Sequence, residues 1–145
     1  MARIDYHAIG QAIQTVLQAD AALAGVKVIV EEDVLTSPEE APWVGIYIAD
    51  RESAGAPIAA GTQQRFTVRY EIWCFDYRLD IPSAAQARDD LLGKVEVALL
   101  KTPTLNGNVT MMAITGGAFD SARTEGGHLM GGSVVVEIQK KATTA

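Results

Sequence analysis

The chain reads as an α+β protein: one mostly antiparallel β-sheet of about five strands with two α-helices packed on one face. Three observations predict this. Apolar residues recur at helical spacing in two segments, 5–19 and 83–100. Strand-like runs lie at 26–31, 43–49, 65–77, 109–115 and 133–139. The resulting order is helix, three strands, helix, two strands. A doubly wound parallel sheet would need a helix after nearly every strand.

The first helix, DYHAIGQAIQTVLQA, carries Ile9, Ile13, Val16 and Leu17 on one face, with Asp5 as its N-cap. Gly10 lies inside it and weakens it by about 1 kcal/mol relative to Ala. Leu23 continues the packing after the helix ends. VKVIVE (26–31) is a β-branched strand. EEDVLTSPEEAP reads as an acidic, Pro-bearing loop, and WVGIYIA (43–49) as the second strand. Residues 50–64, DRESAGAPIAAGTQQ, have no clear period and read as a long loop. The flanking strands suggest an extended antiparallel hairpin, and the strands before the second helix are expected to run in hairpin-like succession, as are the last two.

RFTVRYEIWCFDY (65–77) is the longest strand-like run. Phe66, Val68, Tyr70, Ile72 and Cys74 form an apolar face. The alternate set begins with Arg65, Thr67, Arg69 and Glu71 and ends in Trp73, Phe75 and Tyr77. A solvated face should stay polar. Either loop residues such as Ile58 or Phe119 fold back over the three aromatics, or another molecule covers them.

The second helix opens at Pro82 and Ser83, where Ser83 and Gln86 match a capping box. Ala84, Ala87, Leu91, Leu92, Val95, Ala98 and Leu99 form its apolar face. Asn106-Gly107 marks a turn. VTMMAIT (109–115) follows as a strand, then the Gly-rich stretch 116–132, whose part 118–132 is expected to be a second long loop. SVVVEIQ closes the sheet, and residues 141–145 read as a frayed tail. No repeat or boundary interrupts residues 1–145, which are expected to form a single domain.

Composition narrows the function classes. Hydrophobic residues make up 48 % and charged residues 21 %, an ordinary globular mix. No apolar run approaches the roughly 20 residues of a membrane span, and the N-terminal residues lack the apolar core of a secretory signal. Twelve Lys and Arg against 18 Asp and Glu give a net charge of −6. That balance argues against general nucleic-acid affinity. The only adjacent basic pair is Lys140-Lys141, near the end. Cys74 is the single cysteine, so no internal disulfide forms, and the usage suits a reducing compartment.

No motif for catalysis emerges. His7 and His128 have no Cys or His at metal-ligand spacing. There is no G-x-S-x-G or S-x-x-K. Gly93-Lys94 lacks the preceding glycine of a phosphate loop, and the paired glycines at 116–117, 126–127 and 131–132 do not make a dinucleotide fingerprint. Glu31, Glu32 and Asp33, Glu39 and Glu40, and Asp89 and Asp90 fall on a loop and a helix surface, where solvation is the ordinary role. No catalytic, cofactor-binding or metal-binding residue is assigned.

The order of segments resembles that of bacteriophage tail terminator proteins, also called minor tail or tail-completion proteins. It runs through the N-terminal helix, VKVIVEE, a Pro-bearing turn, WVGIYIAD, a long loop and RFTVRYEIWCFDY. It continues through SAAQARDDLLGKVEVALL, the NG turn and a terminal hairpin around a Gly-rich loop. It covers nearly the whole chain and is a resemblance of architecture and pattern. Head-completion and stopper proteins from the neck of the same particles look similar.

The resemblance implies a structural protein of the virion, assembled in the host cytoplasm, with no cofactor and no membrane partner. It implies a homo-oligomeric ring, hexameric in that family, that caps the tail tube, stops its growth and forms the head-docking surface. Its partners are then the tail tube protein and a head-side neck or connector protein. DNA passes through the lumen without specific binding, helped by acidic subunits. The protein interface is expected at Arg69, Glu71, Trp73, Phe75 and Tyr77. An alternative is a small ligand-binding or enzymatic domain in which the Gly-rich loop with His128 closes over a ligand.

Overall fold

The computed structural model describes residues 5–31, 42–53, 63–124 and 126–143. Two helices, α1 (Tyr6–Ala19) and α2 (Ile81–Leu100), accompany six strands. These are β1 (Lys27–Val30), β2 (Trp43–Ser53), β3 (Gln63–Arg78), β4 (Met111–Gly116), β5 (Phe119–Thr124) and β6 (Gly127–Thr143). The sheet order is β1-β2-β3-β6-β4, with β5 also paired to β6. The α+β class and the mostly antiparallel sheet agree with the sequence reading.

Asp5 caps α1 as expected: its carboxylate accepts the Ala8 N–H at 3.0 Å. The cap of α2 is Asp80 rather than Ser83. The Asp80 carboxylate accepts the Ser83 N–H at 2.9 Å, and Pro82 sits in the first turn where its missing N–H costs nothing. Hydrogen bonds from Ser83 hold the Asp80 carboxyl below its ordinary pKa.

Both helices cover the same sheet face. Ile9, Ile13, Val16 and Leu17 of α1 and Leu91, Val95, Ala98 and Leu99 of α2 pack on alternate sheet residues: Val44 and Ile46, Val68 to Cys74, and Val134 to Ile138. Full burial of each large aliphatic side chain contributes roughly 1.5–3 kcal/mol. Gly10 has a packing reason: a Cβ there would meet Val30 Cγ1 at 3.1 Å. The close approach of α1 lets the Tyr70 hydroxyl donate to the Tyr6 carbonyl. At the expected NG turn, Leu105, Asn106 and Gly107 have φ of 48°, 59° and 87°. Leu105 is fully buried, which offsets a left-handed strain of about 1–2 kcal/mol.

Four expectations need correction. First, β1 runs parallel to β2, not as a hairpin with it. Second, 118–132 is not a loop. β5 pairs with β6 from Phe119↔Gly132 to Thr124↔Gly127, closing through Gly126 at φ 80°. With β4 it makes one interrupted strand along β6. At the junction Ser133 N–H donates to the Ala118 carbonyl at 2.8 Å, and Ala118 N–H donates to Ser133 Oγ at 2.8 Å. Third, β6 reaches Thr143, paired with Gln63, so the frayed segment 141–145 is ordered that far by β3. Fourth, β2 extends to Ser53 and β3 begins at Gln63, so strand pairing claims both ends of the 50–64 segment. The remainder of that segment lies outside the described residues.

Candidate assembly interface

Because β3 alternates, Arg69, Glu71, Trp73, Phe75 and Tyr77 all point away from the helices, onto the open face of the sheet. The five share that face but divide into two neighbourhoods.

At one end is an aromatic layer. Phe75 stacks on Trp43, its cross-strand partner, with ring centroids 4.5 Å apart and 19° between planes. Trp73 stacks on Phe75 at 5.8 Å and 22°. Glycines beneath the rings make this possible. A Cβ on Gly131, opposite Phe75, would collide with the Phe75 ring, and one on Gly127 would collide with Tyr77. On β2, a Cβ on Gly45 would lie 2.6 Å from the Tyr47 ring and 2.8 Å from Trp43. The rings therefore lie down across neighbouring strands. Trp73, Phe75 and Tyr77 remain half-buried. Trp43 is 0 % exposed, and its Nε1–H is buried without an acceptor among the described residues. Such a donor costs about 1–3 kcal/mol.

At the other end is an ionic cluster. Arg69 donates to Asp50 at 2.9 Å and to Glu52 at 3.1 Å, and its Nε lies 3.5 Å from Glu137. Hydrogen bonds to Asp50 and then Glu52 raise the guanidinium pKa further, so its charge is permanent. Glu71 sits between the two neighbourhoods, opposite Tyr47 and Val135.

Phe119 does not fold over the aromatic layer. It lies on the helix side, 66 % exposed, with the Arg88 guanidinium 4.6 Å from its ring centroid. Ile58 lies outside the described residues. Trp43 is the site residue that the sequence reading missed. Its signal was its place opposite Phe75 in the β2–β3 hairpin.

The remaining candidates stay apart. His7 is exposed in the first turn of α1. His128 belongs to strand β6, between Arg78 and Arg123 in register, rather than to a closing loop. Cys74 is buried, which pushes its thiol pKa up and keeps it protonated. The Glu31 carboxylate accepts the Ile48 N–H, tying β1 to β2. Glu32, Asp33, Glu39 and Glu40 lie outside the described residues, and Asp89 and Asp90 are exposed on α2. Among the described residues no group of three or more His, Cys, Asp or Glu could hold a metal ion. No helix among them is long and apolar enough to cross a membrane.

No family model matches the sequence, and no curated protein does. Solved structures do match. One, whose description states no function, is 15 % identical, covers 94 % of this chain and 96 % of its own, and has a TM-score of 0.51. Another, described as the virion of a native gene transfer agent particle, is 12 % identical over 93 % of this chain and 99 % of its own. Its TM-score is 0.47, too low to carry an argument. The first of these matches establishes a shared fold over nearly the whole chain.

Proposed function

We propose that this protein is a structural subunit of a phage-type particle, a tail terminator that acts by binding and not by catalysis. One observation carries the reading. The sheet face away from the helices presents a half-buried aromatic row beside an ionic cluster. Aromatic anchors with a charged rim are the composition of an interaction hot spot. The segment order described above supports the same reading.

The chain forms a ring, hexameric by analogy with the family, through contacts at Arg69, Glu71, Trp73, Phe75 and Tyr77. The ring caps the tail tube, ends its polymerisation and presents a surface to the head-side neck protein. An acidic chain repels the DNA backbone, which favours passage of DNA without specific binding.

The test is to add the protein to polymerising tail tube protein and measure tube lengths and ends by electron microscopy. Shorter tubes with capped ends are expected. A strict monomer that neither caps tubes nor changes their length distribution contradicts the proposal. A head-completion or stopper protein is the competing neck role; binding to the head connector with no effect on tubes identifies it.

A further inference from the structure

We infer that strand β4, at the edge of the sheet, pairs with β4 of a second copy of this chain, antiparallel about a twofold axis. The contact goes beyond the ring reading and uses a different surface, so either can stand without the other.

β4 is the last strand in the sheet order, and its outer edge pairs with no strand among the described residues. Sheets ordinarily guard such edges with charge, Pro or cover. The other stretches of edge carry guards of this kind. β1 is only 4 residues long and holds Lys27, and its Val28 carbonyl accepts the Gln14 side-chain amide at 3.0 Å. β5 holds Asp120 and Arg123. β4 has no such guard: residues 111–119, MMAITGGAF, contain neither a charge nor Pro. Met111 is 50 % exposed, and Ala113 and Thr115 are exposed as well. A bulge between Ile114 and Gly116 marks the end of the regular edge.

Beside this edge lies a hollow of about 60 Å³ lined by Leu99, Leu100, Pro103, Met112, Ala113 and Ile114. Leu100, at its rim, is 67 % exposed. Projection and recess thus share one surface, as a self-complementary twofold contact requires. Antiparallel pairing of two edges keeps both helix layers on one side of the joined sheet. It therefore brings the two hollows and the two Leu100 side chains to a single seam. Charge favours a second copy at this place. Each chain carries a net charge of −6, so two copies meet best through uncharged surface. Charges around the edge are engaged within the monomer: Lys101 lies 3.9 Å from Asp20, Lys140 donates to the Asn108 carbonyl, and Glu137 lies 3.5 Å from Arg69. Glu96, one turn before Leu100 on α2, does not line the hollow. A like strand supplies the backbone groups that the edge needs and sets no like charges opposite each other.

Sedimentation over a range of protein concentrations, with amide hydrogen exchange, tests this. The wild type is expected to form dimers in which the amides of 111–116 exchange more slowly than in the monomer. A contact of this size is weak, so the range extends to about 1 mM. Met111→Lys combined with Ala113→Lys sets lysines from both copies at the seam. It is expected to weaken the dimer on the order of tenfold or more. Circular dichroism checks its folding, and Leu100→Asp replaces it if it does not fold. Trp73→Glu, on the open face, is expected to leave the dimer intact, which separates this contact from the ring reading. A wild type still monomeric at about 1 mM overturns the inference and leaves the ring reading to tube capping. So does a dimer without slower exchange at 111–116, or one that the folded β4 variant forms as well as the wild type. A dimer lost in a folded Trp73→Glu protein and kept in the β4 variant also overturns it, and assigns the contact to the open face.

Discussion

Phe75 and Trp73 sit two residues apart on one strand face, yet they have different stakes in the monomer. Phe75 covers the fully buried Trp43 and lies over Gly131. Trp73 stacks on Phe75 at the longer distance of 5.8 Å and has no stacking contact with Trp43 among the described residues. Phe75→Ser is therefore expected to lower stability by about 2–3 kcal/mol, below the cost of deleting a fully buried ring. Trp73→Ser should cost only about 1 kcal/mol. Urea unfolding of the two variants checks the order, and equal losses would mean that both rings belong to the monomer core. A second residue-scale prediction concerns pH. Burial pushes up the pKa of the Cys74 thiol, with Glu96 adding to it, and burial with Glu31 does the same for the Tyr70 hydroxyl. The unfolded chain loses these protons from about pH 8.5 for the thiol and about pH 10 for the phenol, while the folded chain keeps them. The unfolded state then binds fewer protons, so stability is full below about pH 8 and falls as pH rises. Cys74→Ala should remove the earlier part of that fall. An unchanged profile would place the thiol in contact with solvent.

At the scale of elements, glycine is read differently by sequence and by structure. Gly126, Gly127, Gly131 and Gly132 read as a loop because glycine is ordinarily a strand breaker. In the folded chain Gly127 and Gly131 lie in a strand beneath Tyr77 and Phe75, where a side chain would collide with the ring. Gly131→Ala is expected to destabilise by about 1–3 kcal/mol through that collision. Gly93, exposed on α2 with nothing near its missing Cβ, should behave oppositely: Gly93→Ala stabilises by about 1 kcal/mol. Thermal melts of both variants decide, and a gain in both would mean that the rings are not held on glycine. The elements with a strong local period were legible. The α1 face and cap and the alternation of β3 needed no tertiary information. The parallel pairing of β1 and the joining of β4 and β5 along β6 depend on which strands meet, which no local pattern encodes. At the candidate site, Trp73, Phe75 and Tyr77 were legible as misplaced aromatics. Trp43 was not, because its burial depends on the ring opposite.

For the whole molecule, two helices fill one face of the sheet, and on the other face, among the described residues, the strands' own flattened aromatics lie over the backbone. The first suffices to fold a chain of 145 residues. The second leaves half-buried rings and an acidic cluster whose spare carboxylates face outward. An assembly that depends on those carboxylates should weaken with salt, since screening shortens to about 3 Å at 1 M. Sedimentation at low and high ionic strength reads this directly, and an assembly indifferent to salt would rest on the rings alone. The central claim is that the open face serves a neighbour rather than the monomer. The most direct measurement compares wild type and Trp73→Glu for folding by circular dichroism and for capping of tail tubes by electron microscopy. A folded variant that leaves tubes uncapped, beside a wild type that caps them, is the expected result. A folded variant that caps tubes as well as the wild type would contradict it.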